Sequence, residues 1–478
     1  MRRTDVRAGT AVATLALLLS GCSLAPIYHR PAIAVPAAYK EAPPGWSTAA
    51  PAADTASAGW WQPFNDETLD GLEARIENAS PSLAAAVARY DQALGQLGVA
   101  RSAAFPEVDV GGDASRDRVS ANRPLNPAGS AATYNNYNIG ASLSYELDLF
   151  GRVRNSIRAG KAEAQASRAD VAGVRLGLQT RLATLYFQMR GLDAREGLLR
   201  DTVAAFQRAY DLTDTRHQGG IASGLDTSRA QSQLSSAKAE LSGVHAQRAA
   251  FEHAIAALIG VPAASFAIAP DPRRILPPVV PAATPSELLQ RRPDIDAAER
   301  RVFAANARIG VARAALYPSL SLGGSGGWQT TGADLLNKAS SFWALGPASA
   351  ALALFDGGQR RSQVKVSRAA FDEAAASYRQ TVLDAFREVE DDLVLGRDLV
   401  QQERDQGDAA TAAERTRDLA LVRYRDGASD YLEVVTAQTA ALDAERALLD
   451  LRTSQLTAAV DTVRALGGGI GAAARPPA

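Results

Sequence analysis

Between residues 137 and 149 apolar and polar side chains alternate without a break. Tyr137, Ile139, Ala141, Leu143, Tyr145, Leu147 and Leu149 fall against Asn138, Gly140, Ser142, Ser144, Glu146 and Asp148. A period of two marks a strand with one apolar face, and about ten tilted residues suffice to cross hydrocarbon. Segment 107–115 sets Val108, Val110 and Ala114 against Glu107, Asp109, Asp113 and Ser115, and 319–328 sets Leu320, Leu322 and Trp328 against Ser319, Ser321 and Ser325. Segment 342–355 is apolar on both faces. The pattern predicts strands at about 106–116, 137–149, 317–328 and 342–355, paired around polar loops 116–136 and 329–341. A half-buried strand of a soluble sheet also gives this period, and the alternation alone does not choose.

Elsewhere the period lengthens. Val171, Val174, Leu178, Leu182, Leu185, Met189 and Leu192 recur at spacings of three and four, as do Phe371, Ala375, Tyr378, Val382, Ala385, Val389 and Leu393. These are coiled-coil-like seams. No proline interrupts them: none falls between Pro127 and Pro262, or between Pro347 and Pro476. A helix from about Val153 to Thr215 would be on the order of 95 Å long. Each rod ends in a glycine-bearing tip, Arg216 to Asp226 and Arg423 to Glu433, and returns, which predicts helical hairpins at 153–260 and 358–466. The tips also align with each other. Leu97-Gly98-Val99-Ala100-Arg101 resembles Ile309-Gly310-Val311-Ala312-Arg313, and Ala230-Gln231 matches Ala437-Gln438. The chain is an internal duplication with a period near two hundred residues, far beyond solenoid repeats.

Four strands leave two open edges, and open edges cannot sit in hydrocarbon. Closed transmembrane barrels begin at about eight strands. If the strands span a membrane, several chains must each donate four to a shared barrel.

The N-terminus adds an address. Arg2, Arg3 and Arg7 precede a short apolar stretch, Ala11 to Leu19, too short to span a bilayer. Leu19-Ser20-Gly21-Cys22 resembles a bacterial lipobox, which implies diacylation of Cys22 after cleavage, and Ser23 in place of aspartate favours the outer membrane. Cys22 is the only cysteine among 478 residues, so no disulfide forms within the chain. Four histidines, His29, His217, His245 and His253, assemble no zinc set. Lys+Arg 51 against Asp+Glu 52 gives a net charge of -1, which argues against nucleic acid as a partner.

Several motifs together identify a family. Pro26-Ile27-Tyr28-His29-Arg30-Pro31, Trp60-Trp61 through Phe64, Asp66, Leu69 and Leu72, Asp148-Leu149-Phe150-Gly151-Arg152, Arg291-Arg292-Pro293-Asp294-Ile295 and Phe355-Asp356-Gly357-Gly358 occur in one order. The chain resembles TolC-type outer-membrane factors, in the lipoprotein branch typified by OprM and NodT-like proteins. That resemblance implies a mixed fold of transmembrane β and long α structure: a homotrimer sharing a 12-stranded barrel, four strands per chain, continuous with a coiled-coil periplasmic barrel. It divides the chain into a signal peptide at 1–21, a lipid-anchored segment at 22–60, a first repeat at 61–262, an equatorial proline-rich segment at 263–293, a second repeat at 294–466 and a tail at 467–478. It implies an exit duct in the outer membrane, extending into the periplasm, fed by a periplasmic adaptor and an inner-membrane transporter of the RND type. The covalent lipid on Cys22 is the one attached group expected, with no cofactor and no metal.

In OprM-like proteins the second hairpin's return helix carries a leucine and, four residues on, an aspartate at the constriction. Leu432 matches the leucine, but Thr436 stands at the aspartate position. Glu433, Asp430 or Asp226 would then supply an acidic ring, which favours cations; each also reads as an exposed helix cap. Gly219, Gly220 and Gly427 resemble the surface that meets the adaptor, and equally serve as turn residues. The run Glu388-Val389-Glu390-Asp391-Asp392 reads as a solvated helix face or a cation site. No nucleophile–base pair is recognisable, so no enzyme is expected. A type I secretion duct and a lipid-anchored structural coiled coil remain the alternatives.

Overall fold

The alternating segments form one antiparallel sheet in the computed structural model, which describes residues 23–42, 59–120, 132–278, 285–331 and 340–468. Its strands β1 (Glu107–Val119), β2 (Ala132–Leu147), β3 (Ser319–Thr330) and β4 (Ser340–Ala351) lie side by side in chain order. Register puts Val108, Leu143, Gly324 and Leu345 in one cross-strand row, and Val110, Ala141, Gly326 and Trp343 in another. The row between them reads Asp109, Ser142, Ser325 and Ala344, on the opposite face. Across β1 to β3 one face is therefore apolar and the other polar, while β4 places Phe342 and Ala344 on the polar side. The apolar face is uncovered: Val110 is 77%, Trp343 83% and Leu345 91% exposed. Gly140 pairs with Gly327, where an added Cβ would fall 2.3 Å from the Ile139 carbonyl oxygen, so β2 and β3 approach too closely for any side chain.

The strands end where aspartates draw the chain into helices. Asp148 accepts from the backbone N–H groups of Val153 (3.1 Å) and Arg154 (2.8 Å), so the second strand stops at Leu147 rather than 149. Asp356 accepts likewise from Gly358 and Arg360, and the fourth stops at Ala351 rather than 355. At the other end pairing runs further than expected. Arg116 faces Asn135 and Val119 faces Ala132, so residues read as polar loop continue the ladder.

The helices are α1 (Glu67–Ala79), α2 (Pro81–Ser102), α3 (Arg152–Gln218), α4 (Gly224–Leu258), α5 (Pro285–Arg291), α6 (Pro293–Ala314), α7 (Gln359–Arg425) and α8 (Tyr431–Ala465). Where one helix was expected to open the first repeat, Ser80-Pro81 separates two, because proline cannot continue the ladder of α1. α3 and α7 have 67 residues each, about 100 Å of helix, and α4 and α8 have 35 each. Both members of each pair start 207 residues apart (359 − 152 and 431 − 224), so the duplication in sequence is a duplication in structure. Among the described residues no helix is long and apolar enough to cross a membrane.

The chain divides into two units. The first holds the sheet with Arg89–Arg168, Ala297–Arg379 and the N-terminal residues to Ala32. There the extended N-terminal segment is pinned residue by residue. Ser23 Oγ donates to Asn155 Oδ1 (2.9 Å), Arg313 donates to the Leu24 carbonyl (3.2 Å), Asn306 to the Pro26 carbonyl (2.9 Å), and Arg30 to the Tyr378 hydroxyl (2.8 Å).

The second unit holds Ile33–Ala88, Ala169–Asp296 and the chain from Gln380. Its core gathers Trp60, Phe64, Leu69 and Ile76 with Leu182, Phe187, Met189, Ile255 and Val460. The first seam is only partly a buried stripe. Leu182 and Met189 are fully buried, Val171, Leu178 and Leu185 are half-buried, and Tyr186 and Phe187 widen the face. A charged clamp fixes the proline-rich segment. Asp193, fully buried, accepts from Arg190 (2.8 Å), Arg248 (2.6 Å) and the Asp271 N–H (3.0 Å). The same guanidinium groups donate to the Ala269 and Ile268 carbonyls, satisfying backbone that no regular structure pairs.

Candidate functional site

Both hairpin tips end their long helix in the same way. Gly220 and Gly427 take φ of +73° and +76°, the left-handed conformation that glycine adopts without penalty. The Ile221 N–H then reaches back to the Arg216 carbonyl and the Ala428 N–H to the Arg423 carbonyl, each at 2.8 Å, which is the Schellman closure. The return helices are capped in turn. Ser223 and Asp226 form a reciprocal capping box on α4, and Asp430 accepts from the Glu433 N–H at 3.0 Å on α8.

The two tips are tied together by residues the spacing did not single out. Arg216, at the end of α3, donates to the carbonyls of Tyr424 and Arg425 at the end of α7, both at 3.0 Å. Its guanidinium carbon lies 4.7 Å from the centroid of the Tyr424 ring. A cation there also meets the negative end of the α7 dipole. Tyr424 packs edge-on against Tyr431 at 5.3 Å, over Ala230 and Val434. Burial, the neighbouring Tyr424 and the charge of Asp226 push the Tyr431 phenol up to about 12. Arg216 and Tyr424 are 208 residues apart (424 − 216), so no local signal announces the pair.

The gate candidates divide into two kinds. Leu432, Glu433 and Thr436 share an exposed face of α8, with Leu432 47% exposed. The Thr436 hydroxyl donates back to the Leu432 carbonyl at 2.9 Å, so it is satisfied within its own helix. Glu433 lies 3.6 Å from Arg423 Nε, both well exposed. Asp226 and Asp430 are engaged as caps, and Asp226 stands a further 3.7 Å from Arg229. Of the three candidate carboxylates, Glu433 is thus the one not engaged as a helix cap. Gly219, Gly220 and Gly427 sit at the exposed turns. Cys22 lies outside the described residues; its neighbour Ser23 is bonded at the first turn of α3.

The acidic run on α7 is largely used up. Glu388 accepts from Arg292, Glu390 from the N–H groups of Lys40 and Glu41, and Asp391 pairs with Arg387. Burial raises the Asp392 carboxyl to about 7. Among the described residues no three His, Cys, Asp or Glu side chains converge as a metal set.

A sheet with a bare apolar face, joined to a long helical hairpin that occurs twice, defines a TolC-type channel protein. Comparison with known proteins agrees. The sequence model of the outer membrane efflux protein family matches residues 74–261 and 284–468. Outer membrane protein OprJ of Pseudomonas aeruginosa is 33% identical over 471 residues, covering 96% of each chain. The probable efflux pump outer membrane protein TtgC of Pseudomonas putida is 32% identical over 464 residues, covering 96% of this chain and 95% of its own. The crystal structure of the Campylobacter jejuni CmeC outer membrane channel superimposes with a TM-score of 0.85 at 25% identity, covering 94% of this chain and 95% of that one. The chain belongs to the outer membrane efflux protein family: it is an outer-membrane efflux channel that extends into the periplasm.

Proposed function

We propose that three copies of this chain close one 12-stranded barrel and form the exit duct of a tripartite efflux pump. The observation that carries this reading is the sheet: an apolar face open to its surroundings, a polar face behind it, and outer strands β1 and β4 whose far edges are unpaired among the described residues. In hydrocarbon those edges must be paired, and further copies supply the partners. The polar face then lines the passage. The relative TtgC is named for an efflux pump, which favours efflux over type I secretion.

Substrate arrives from an inner-membrane transporter, of the RND type, through a periplasmic adaptor that meets the tips around Gly219, Gly220 and Gly427. Cys22 carries the acyl anchor. The Arg216 tie between the tips holds the closed state, and adaptor engagement releases it. Leu432, Glu433 and Thr436 line the constriction, where three copies of Glu433 favour cations. The protein performs no covalent chemistry on what it carries.

The test is reconstitution of the purified protein in planar bilayers, with cross-linking to count subunits. Cation-selective conductance from a cross-linkable trimer is expected. A monomeric protein, or an assembly that passes no ions with or without an adaptor, overturns the reading.

A further inference from the structure

Four other helices of this chain start with acids, in accord with the dipole rule, and α2 carries no charge in its first turn. α1 opens with Glu67 and Asp70, α4 with Asp226, α6 with Asp294 and Asp296, and α8 with Glu433. The two helices that leave the sheet reverse it. Neither α3 nor α7 has an acid in its first turn; they open Arg152-Val153-Arg154 and Gln359-Arg360-Arg361. Cations at those positions face the positive end of the helix dipole. Backbone N–H groups at these starts are met by Asp148 and Asp356, a role that a guanidinium, which has no acceptor, cannot fill. Basic side chains recur at this point in both halves, but Arg152, Arg154 and Arg360 are answered by Glu146, Asp148 and Asp356; the excess at the start of α7, Arg361 and Lys365, marks a demand from outside the fold.

The surroundings say what makes that demand. Arg152 and Arg360 line one cavity of about 180 Å³ together with Tyr317, Ser319 and Ala351, where the sheet ends. Phe150 stacks on Tyr317 at 4.8 Å. Between the sheet and α7, Leu354 and Phe355 are 92% and 91% exposed. Arg152 is partnered by Glu146, and Arg360 stands 3.8 Å from Asp356. Arg361 and Lys365 are exposed and have no carboxylate partner among the described residues. Ser23, one residue beyond Cys22, is bonded to Asn155 at this same helix start, and Arg158 donates to its hydroxyl.

We propose that this end of the sheet binds anionic phospholipid headgroups of the periplasmic leaflet. Leu354, Phe355 and Tyr317 occupy the boundary between acyl chains and headgroups, where such side chains are favoured. Arg361 and Lys365 take the phosphate, Arg361 through paired N–H groups, while Arg152 and Arg360, held by Glu146 and Asp356, add positive charge beside it. The inference rests on the outer-membrane reading and adds the class of lipid the channel selects.

The test uses full-length protein reconstituted in nanodiscs of phosphatidylglycerol and phosphatidylethanolamine in equal parts. Lipid retained through a mild detergent wash is quantified by mass spectrometry. The wild type is expected to retain phosphatidylglycerol preferentially. Arg361→Gln with Lys365→Gln should reduce that preference by about fivefold per charge removed, while Arg415→Gln, remote on α7, should not. Lys365→Gln alone serves if the double variant fails to assemble. Equal retention of both lipids by the wild type, or a change below about twofold in the double variant, overturns the proposal. So does a preference that inorganic phosphate abolishes, because the site would then belong to a soluble anion. A wild type that gives no conductance refutes the outer-membrane reading itself; one that conducts without lipid preference refutes only this inference.

Discussion

Replacing Arg216 by alanine removes a side chain that ties the first hairpin tip to the end of α7. The loss comprises two charge-assisted hydrogen bonds, to the Tyr424 and Arg425 carbonyls, and the cation stacked on the Tyr424 ring. Arg216 is half-buried, so solvent screens part of this, and the three contacts share one guanidinium and do not add. Together they are worth about 2–3 kcal/mol. If the tie exists only when the tips are closed, its removal shifts the open-to-closed ratio by roughly 30- to 150-fold. Open probability in planar bilayers measures that ratio directly. Arg216→Lys keeps the charge but loses the planar fork, and is expected to fall between wild type and alanine. An open probability that Arg216→Ala leaves within about twofold of wild type would refute the latch.

Three further outcomes follow from the same geometry. Glu433→Gln should lower cation preference in single-channel recordings more than Asp226→Asn does, because Asp226 is held in a capping box; equal effects would count against Glu433 as the ring. Asp193→Ala strands Arg190 and Arg248 without their shared buried carboxylate and should cost about 3–5 kcal/mol in chemical denaturation, with early proteolysis near Asp271. Glu73 is fully buried with neither carboxyl oxygen hydrogen-bonded, and burial, with the charges of Glu77 and Asp70, raises its carboxyl from 4.5 to about 9. The folded chain therefore holds a proton that the unfolded chain loses above pH 4.5, and stability falls as pH rises toward 9. Glu73→Gln stays neutral throughout, so its thermal midpoint should draw ahead of wild type as pH rises; a gap independent of pH would show that Glu73 is charged in the fold.

The periods of two and of three-to-four carried most of the architecture, because burial on one face imposes them directly on sequence. Proline-free stretches located the rods for the same local reason. Element ends were less legible. Whether Asp148 and Asp356 continue a strand or turn to cap a helix depends on where the following backbone lies, and alternation alone extended both strands too far. Ser80-Pro81 divided a helix that the broad pattern treated as one. The glycines of the tips were readable as turns, whereas the contacts of Arg216 were not, since its partners come from the other half of the chain. The Asp193 clamp escaped for a similar reason: Arg190, Asp193 and Arg248 look like ordinary helix-surface charges until a proline-rich segment is laid across them.

The pinning of the N-terminal segment has a mechanical consequence. Ser23, Leu24 and Pro26 are each bonded to the helical body, so the chain beyond Cys22 has no slack. An acyl group at that cysteine would act as a depth gauge rather than a leash, setting the height of the channel in the membrane to within about one residue's reach, roughly 3.5 Å. Lengthening the chain between Cys22 and Ser23 would uncouple insertion depth from the barrel's own apolar band.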